Sequence, residues 1–434
     1  SSVSGQAKAR TFHGLPDLVR VLIAQHRHVT ELYDWQREVL ESSALRSGRS
    51  FVYSLPTSGG KTLVAEIVLL QALLLRQKTA LLILPYVSLV EEKMEGLELF
   101  GTALGFRVDG YYGVSGRFPV PKGPGLLVCT IEKGNSVLNH LAEEGRLNEL
   151  GTVVIDELHM LGDGPRGVSV EVLVSKLLFA CPEVQILGMS ATIPNLPEVA
   201  RWMCADVYQS DYRPVPLKEH VKVGQELYDV DRAVVRSIEA TEDDPQGLAA
   251  LVNEVCPDHS VLIFCATKAN CQDSARALVR LLPQSYTEWK AEDKKVLLQD
   301  LRSCSDASDP VLQTTVPYGV AFHHSGLTIE ERELLEKAFR SRIVMLLCCT
   351  STLAAGVNLP AKRVIFRSPY VGRDFLTKAR YMQMAGRAGR KGYDAHGESY
   401  LLLGPRDVDK GWDLISKELE GCCSQLLCTR REGD

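Results

Sequence analysis

The chain has 434 residues, of which 45% are apolar, 24% charged and 7% aromatic. That exceeds one typical domain and supplies enough apolar surface to offset chain entropy, which excludes a single small module and long-range disorder. Forty-nine Lys and Arg against 54 Asp and Glu leave a net charge of -5, so no protein-wide positive field attracts a polyanion and any nucleic acid must be held in a local groove.

Residues Ser1–Arg10 are small and polar, without the apolar run of a secretory signal. The first strong element is the apolar run Phe51–Leu55, followed by Pro56-Thr57-Ser58-Gly59-Gly60-Lys61-Thr62 and a helix-like stretch Leu63–Leu75. That stretch carries Glu66 and Gln71 and is shorter than the ~20 residues a membrane span needs, so a buried helix is expected. Further short runs at Ala80–Leu84, Leu126–Cys129, Val153–Ile155 and Ile186–Met189 alternate with helix-like stretches and predict a parallel α/β sheet. Two prolines at Tyr212–Pro216 break the pattern. A second series follows at Val261–Phe264, Val320–Phe322, Ile343–Cys348, Val364–Phe366 and Ser399–Leu402, so the fold class is α/β with two such domains in tandem. Thr241–Gly247 and Ser285–Leu312 read as surface insertions. The twelve cysteines are scattered and form no C-x-x-C, which points to a reducing, intracellular protein rather than a disulfide scaffold or zinc site. His323-His324 has no acidic or cysteine partner at metal-ligand spacing in the sequence.

Strand, glycine-containing loop and helix in succession make a phosphate cradle. Glycines let backbone N–H groups close on a polyphosphate, the helix start adds its dipole, Lys61 reaches the outer phosphates and the Thr62 hydroxyl suits magnesium. Leu55 stands where the generic pattern has its first glycine, so a Gly-rich turn is the competing reading. After Val153–Ile155 come Asp156-Glu157-Leu158-His159, at the carboxyl end of a strand expected to neighbour that of the lysine loop. Asp156 suits magnesium, and Glu157 suits orienting or deprotonating the water that attacks a γ-phosphate, against the alternative of an exposed acidic turn. In Gln383-Met384-Ala385-Gly386-Arg387-Ala388-Gly389-Arg390, two arginines stand three apart, placed to neutralise a phosphoryl group in transfer or to form a solvated helix face. Together these features describe a nucleoside triphosphatase, a class that includes kinases and GTPases.

With these motifs in place the chain resembles the superfamily two helicases, and within them the HELQ-type DNA helicases and their archaeal repair relatives, with the helicase domain of DNA polymerase theta as a near neighbour. The motifs run in the family's order: Tyr33-Asp34-Trp35-Gln36, Pro56–Thr62, Leu84-Pro85-Tyr86, Thr130-Ile131-Glu132-Lys133, Asp156–His159, Ser190-Ala191-Thr192, Phe322–Gly326, Thr350–Pro360 and Gln383–Arg390. Longer strings, including Leu55–Glu66, Asp156–Gly162 and Arg213–Glu219, carry the resemblance to the HELQ type.

The resemblance implies two RecA-like domains with an ATP site between them. Gln36 would read the adenine edge with Tyr33 as packing partner, Thr57, Ser58, Gly59, Gly60, Lys61 and Thr62 would hold the phosphates, and Gly356 and Asn358 would line the site. Thr62 and Asp156 would hold Mg2+, Glu157 the water, and Arg387 and Arg390 would act as arginine fingers. Pro85, Tyr86, Ser88, Lys93, Thr130, Lys133, Lys268, Thr350, Ser351 and Thr352 would form a sugar-phosphate track, and His159, Ser190, Thr192 and Gln383 would couple nucleotide state to it. The segment Arg363–Met382 is long enough for a duplex-splitting hairpin with Tyr370 or Phe375 as stacking tip, the alternative being a packed aromatic pair. The implied boundaries are a polar tail at 1–11, a first domain at 12–212, a second at 213–420 and a tail at 421–434. Family members continue into a winged helix and a helical ratchet domain, for which the 44 residues after Arg390 leave no room, so weak DNA-dependent hydrolysis and poor unwinding are expected of these residues alone.

The implied function is an ATP-dependent, single-strand-tracking DNA helicase, moving 3′ to 5′, in nuclear DNA repair and replication-fork processing. Its partner is single-stranded or forked DNA, with no membrane; protein partners are not readable. An RNA helicase of the same motor type, or an ATP-switched strand-binding or annealing module, are the rivals.

Overall fold

The structure is a computed structural model describing residues 12–304, 309–353 and 359–426. The described residues fall into two compact units. One runs to Tyr212 and takes in the chain again from Glu420, and the other is Arg213–Leu419.

The first unit is built on seven strands: β1 (Phe51–Ser54), β2 (Thr79–Leu84), β3 (Arg107–Tyr111), β4 (Gly125–Thr130), β5 (Leu150–Ile155), β6 (Gln185–Ser190) and β7 (Asp206–Gln209). Their order is β3-β4-β2-β5-β6-β1-β7, and every pairing is parallel. The central strands are buried along their whole length, which is why they read as unbroken apolar runs. The edge strands β3 and β7 keep exposed positions and lack such a run, so the periodicity passes over them. The expected buried helix is Lys61–Leu74, while Leu75 just beyond it is exposed. Its Glu66 is buried against Arg27, whose Nε donates to it at 2.9 Å. No described helix is long and apolar enough to cross a membrane.

The second unit holds β8 (Leu217–Val223), β9 (Glu226–Tyr228), β10 (Val234–Ser237), β11 (Val261–Phe264), β12 (Val320–His323), β13 (Leu346–Cys349), β14 (Arg363–Phe366), β15 (Tyr370–Val371), β16 (Asp374–Phe375) and β17 (Gly397–Leu403). Its main sheet runs β10-β9-β8-β17-β14-β11-β13-β12, parallel from β8 onward, with β9 and β10 added antiparallel at the edge. β15 and β16 form a separate hairpin.

Of the two expected surface insertions, Thr241–Gly247 is an exposed loop and the longer one is not on the surface throughout. The described residues of Ser285–Leu312 pack on the core: Leu297 and Leu301 lie on the inner face of the helix Ala291–Cys304, and Tyr286, Val311 and Leu312 are buried with them. Lys294 on the same face donates to the carbonyls of Tyr286 at 2.6 Å and Pro317 at 3.1 Å, which compensates its burial. The acidic Thr241–Gly247 loop leads into the helix Leu248–Asn253, whose first N–H groups it satisfies: the Asp244 carboxylate accepts from Leu248 N at 2.8 Å and Ala249 N at 2.7 Å.

Candidate nucleotide site and strand track

In the first unit the loop after β1 is shaped by left-handed backbone at Ser58 (φ 67°) and Gly60 (φ 87°), and Gly60 caps the helix that Lys61 and Thr62 begin. Any side chain at Gly60 would press on Gln36 and Tyr33 at 3.0 and 3.2 Å, so only glycine fits both the angle and the space. Thr57 is half-buried, Ser58 exposed and Gly59 buried. The Lys61 ammonium donates to the carbonyls of Leu55 at 2.8 Å and Pro56 at 3.1 Å, which holds it over its own loop.

Gln36, the expected adenine reader, is tied into the protein by both ends of its amide. It is 2% exposed, its carbonyl oxygen accepts from Tyr33 N at 2.9 Å, and its amide donates to Gly60 O at 2.8 Å. The side chain thus ties the Tyr33 turn to the phosphate loop, and a buried amide so committed has one N–H left to offer. The Tyr33 ring packs on Tyr212 at 5.1 Å between centroids. The carbonyl of Tyr212, the last residue before the second unit, lies close to Gly59.

The acidic turn follows β5. Glu157 N donates to Asp156 Oδ1 at 2.7 Å, and Glu157 takes left-handed backbone (φ 51°), a conformation that costs a non-glycine residue free energy and is held by its surroundings. The Asp156 carboxyl is raised to about 7, first by desolvation and then by the charge of Glu157, with Lys61 and Lys93 acting in the opposite direction. Lys93 therefore bears on the acidic site as well as on the expected track. Glu157 Oε2 lies 3.3 Å from His159 Nδ1. Ser190 Oγ accepts from His159 N at 3.1 Å, which joins the end of β6 to the acidic turn. Thr192 is half-buried in the loop beyond.

The expectation that β5 neighbours the strand of the lysine loop is corrected: β6 lies between β5 and β1. The phosphate loop and the acidic pair emerge at the same carboxyl edge, one strand apart. Gly188 of β6 lets the acidic turn's Leu158 settle close on the sheet face, since a Cβ there would meet Leu158 at 2.8 Å and Val52 at 3.3 Å.

On the far side of β5 the track residues gather. Leu84 of β2 is paired with Thr130 of β4, so Pro85–Ser88 and Thr130–Lys133 leave the sheet side by side. Pro85 is buried, Tyr86, Lys93 and Lys133 half-buried, and Ser88 exposed. Thr130 is 5% exposed and its hydroxyl caps the helix Ile131–Glu143 by accepting from Lys133 N at 3.4 Å. Arg166 places its guanidinium 4.6 Å from the centre of the Tyr86 ring, a cation–π contact invisible at a separation of eighty positions in sequence.

In the second unit Lys268, His323–Gly326 and Thr350–Thr352 follow the adjacent strands β11, β12 and β13 at their carboxyl ends. Lys268 is exposed at a helix start capped by Thr267, Thr350 and Thr352 share a hydroxyl hydrogen bond at 2.9 Å, and Ser351 is half-buried between them. Gly356 and Asn358 lie outside the described residues. His323 does have an acidic neighbour, Glu336, 2.9 Å from its Nε2, but no group of three metal-ligating side chains occurs among the described residues.

The arginines sit at the opposite edge. Arg387 O accepts from Ala361 N at 3.0 Å and Ala388 bridges Ala361, just ahead of β14. The helix Lys378–Ala385, with half-buried Gln383, leads into this loop. Arg213 anchors the loop by donating to the carbonyls of Ala388 and Gly386. Arg387 is half-buried. The side chain of Arg390, the second expected finger, is 13% exposed, its Nε donates to Asp394 Oδ2 at 3.1 Å, and its Nη2 lies 3.2 Å from His259 Nδ1. The Asp394 side chain is fully buried, and although burial pushes its carboxyl up, the hydrogen bonds from Arg390 prevail and hold it below the ordinary range. The two arginines are therefore not equivalent, and Arg390 bolts the loop to its own unit. Asp394→Ala is expected to strand that cation and cost ~3 kcal/mol, lowering the thermal midpoint by roughly 6–12 °C in a melt of the purified variant.

The hairpin between these motifs exists, but its tip is Gly372-Arg373. Tyr370 and Phe375 face each other across its base at 5.4 Å, edge to face, and the Tyr370 hydroxyl donates to Asp407 at 2.7 Å. The packed aromatic pair is what the structure shows, within a hairpin of two residues per strand.

Residues 33–199 match the DEAD/DEAH box helicase family and residues 275–392 match the helicase conserved C-terminal domain. The chain is 45% identical over 432 residues to the Helicase POLQ-like protein of Homo sapiens, covering 96% of this chain and 39% of that protein. It is 41% identical over 439 residues to DNA polymerase theta of Mus musculus, covering 94% and 17% respectively. To the ATP-dependent DNA helicase Hel308 of Thermoplasma acidophilum it is 34% identical over 405 residues, covering 91% and 56%. The chain thus spans about two fifths of the length of the POLQ-like relatives it matches. Two parallel-sheet units in tandem, with a phosphate loop and acidic turn on the first and an arginine loop on the second, place this chain in the superfamily two helicases, as a tandem RecA-like core of the type shared by POLQ-like helicases, DNA polymerase theta and Hel308.

Proposed function

We propose that this chain is the motor of an ATP-dependent DNA helicase that tracks one strand, 3′ to 5′, in nuclear DNA repair and replication-fork processing. The observation that carries the reading is the emergence of Lys61 and of Asp156-Glu157 from β1 and β5 at one sheet edge, with β6 between and the Pro85–Ser88 turn on the other side. Such an edge is where parallel sheets bind ligands, and here it carries phosphate grip, acid and strand contact on one rigid body.

The residues of the first unit suit a magnesium nucleotide. Thr62 and Asp156 offer the hard oxygen donors that Mg2+ takes, and a carboxylate whose charge is costly without a cation is a strong reason to bind one. The ion would neutralise charge on the phosphates. Lys61 grips the outer phosphates, Glu157 orients the attacking water and takes its proton, and His159 steadies Glu157 from 3.3 Å. Arg387 supplies positive charge to the transferring phosphoryl group, while Arg390, with Asp394, holds the loop that presents it. Arg387→Ala is expected to leave ATP affinity within about twofold and lower its hydrolysis ~10³-fold; an unchanged rate in a phosphate-release assay removes the finger.

The track residues are hydroxyls, backbone N–H groups and sparse lysines, which suit binding to a sugar-phosphate backbone without sequence choice. Hydrolysis measured with and without single-stranded DNA and RNA, at two salt concentrations, tests the proposal. Stimulation by DNA that weakens with salt is expected. Stimulation by RNA alone favours an RNA helicase. Normal hydrolysis with no movement in a stopped-flow translocation assay favours an ATP-switched binding module.

A further inference from the structure

The segment Gly421–Leu426 is packed against the elements that follow the acidic turn. Asn195 holds the backbone of Cys422 from both sides, donating to its carbonyl at 2.9 Å and accepting from its N–H at 2.8 Å. The Cys422 thiol, half-buried, lies 3.5 Å from the carbonyl of His159. Glu171, 5% exposed in the helix Gly164–Ala180, accepts from the Ser424 hydroxyl at 2.8 Å and from the N–H groups of Gln425 and Leu426. A buried carboxylate collecting three donors from one short segment is a docking point, because without them its charge would be buried uncompensated.

The three receivers bracket the candidate chemistry. His159 belongs to the acidic turn, with its N–H on Ser190 and its ring on Glu157. Asn195 follows Ser190-Ala191-Thr192 at the end of β6, and Glu171 lies on the helix that the turn leads into. The same segment continues directly from Lys417–Leu419 and the helix Val408–Ser416, which belong to the second unit. A displacement of that helix would therefore act along the covalent chain on the turn that carries Glu157.

We propose that Gly421–Leu426 is a positioning strap that sets the acidic turn for hydrolysis, with Glu171, Asn195 and the His159 carbonyl as its receivers. This rests on the proposed ATPase reading. The strap's hydrogen bonds run to Asn195, Glu171 and the His159 carbonyl, so its release misplaces the water-directing carboxylate ahead of the nucleotide grip.

Two variants of the full chain test this from opposite sides. Glu171→Gln turns an acceptor into a group that also donates toward the strap, and Gln425→Pro deletes one strap N–H without altering the core of the first unit. Each should lower kcat for ATP about tenfold with KM for ATP unchanged within about twofold, since small misplacements of a catalytic group have effects of this order or larger. Glu171→Asp should recover part of the rate. Unchanged kcat in Gln425→Pro overturns the strap, as does a parallel rise of KM, which would mean that the site as a whole has loosened. If Glu171→Gln fails to fold, Gln425→Pro alone decides. Normal hydrolysis by Glu157→Gln would instead sink the ATPase reading itself, so the two failures are distinguishable.

Discussion

Lys61→Ala is expected to abolish ATP turnover, with hydrolysis falling by at least about a hundredfold, the order lost when one preorganised charge donor is removed from a transition state. The ammonium is the only cation the phosphate loop carries in its own sequence, and its two carbonyl contacts hold it over that loop. Removing it also strands the Leu55 and Pro56 carbonyls, a loss of about 1–2 kcal/mol. The fold should survive, since the helix behind the loop is anchored by ten buried residues from Leu63 to Leu73. A nucleotide-binding titration beside a melting curve separates the effects: lost affinity with a near-native midpoint is the expected pair. Retained turnover would remove Lys61 from the chemistry.

Glu157→Gln should keep ATP bound and lower its hydrolysis by ~10²–10⁴-fold, the range contributed by a positioned general base. Glutamine keeps the size and the left-handed backbone requirement while giving up the proton-accepting oxygen. His159→Ala would be a milder relative, loosening Glu157 without replacing it. Single-turnover hydrolysis of prebound nucleotide checks this directly, and a normal rate excludes the water-positioning role.

The central strands were legible because a parallel sheet covered on both faces needs continuous apolar runs, and β11 is the run Val261–Phe264 without a residue's difference. Edge strands β3 and β7 carry half-exposed residues and send no such signal. The phosphate loop and acidic turn were readable because their chemistry is local in sequence. Gln36 was recognised as part of the site, but the amide's commitment to Tyr33 and Gly60 depends on a packing that spacing does not reveal. The bolt on Arg390 was within reach, since Asp394 lies four positions on, whereas Cys422 meets Asn195 across a separation of 227, beyond any local pattern. The Ser285–Leu312 segment misled because ten of its 28 residues are charged, yet Leu297 and Leu301 share one helical face.

β6 has a consequence for how such a protein can change. Because β6 lies between β1 and β5 and the ladder holds neighbouring strands about 4.8 Å apart, the span between phosphate grip and water placement is set by backbone hydrogen bonds and not by side chains. Neither half can be retuned alone from within the sheet. Variation that spares turnover must therefore accumulate in the loops above this edge, leaving the girder beneath them at fixed width.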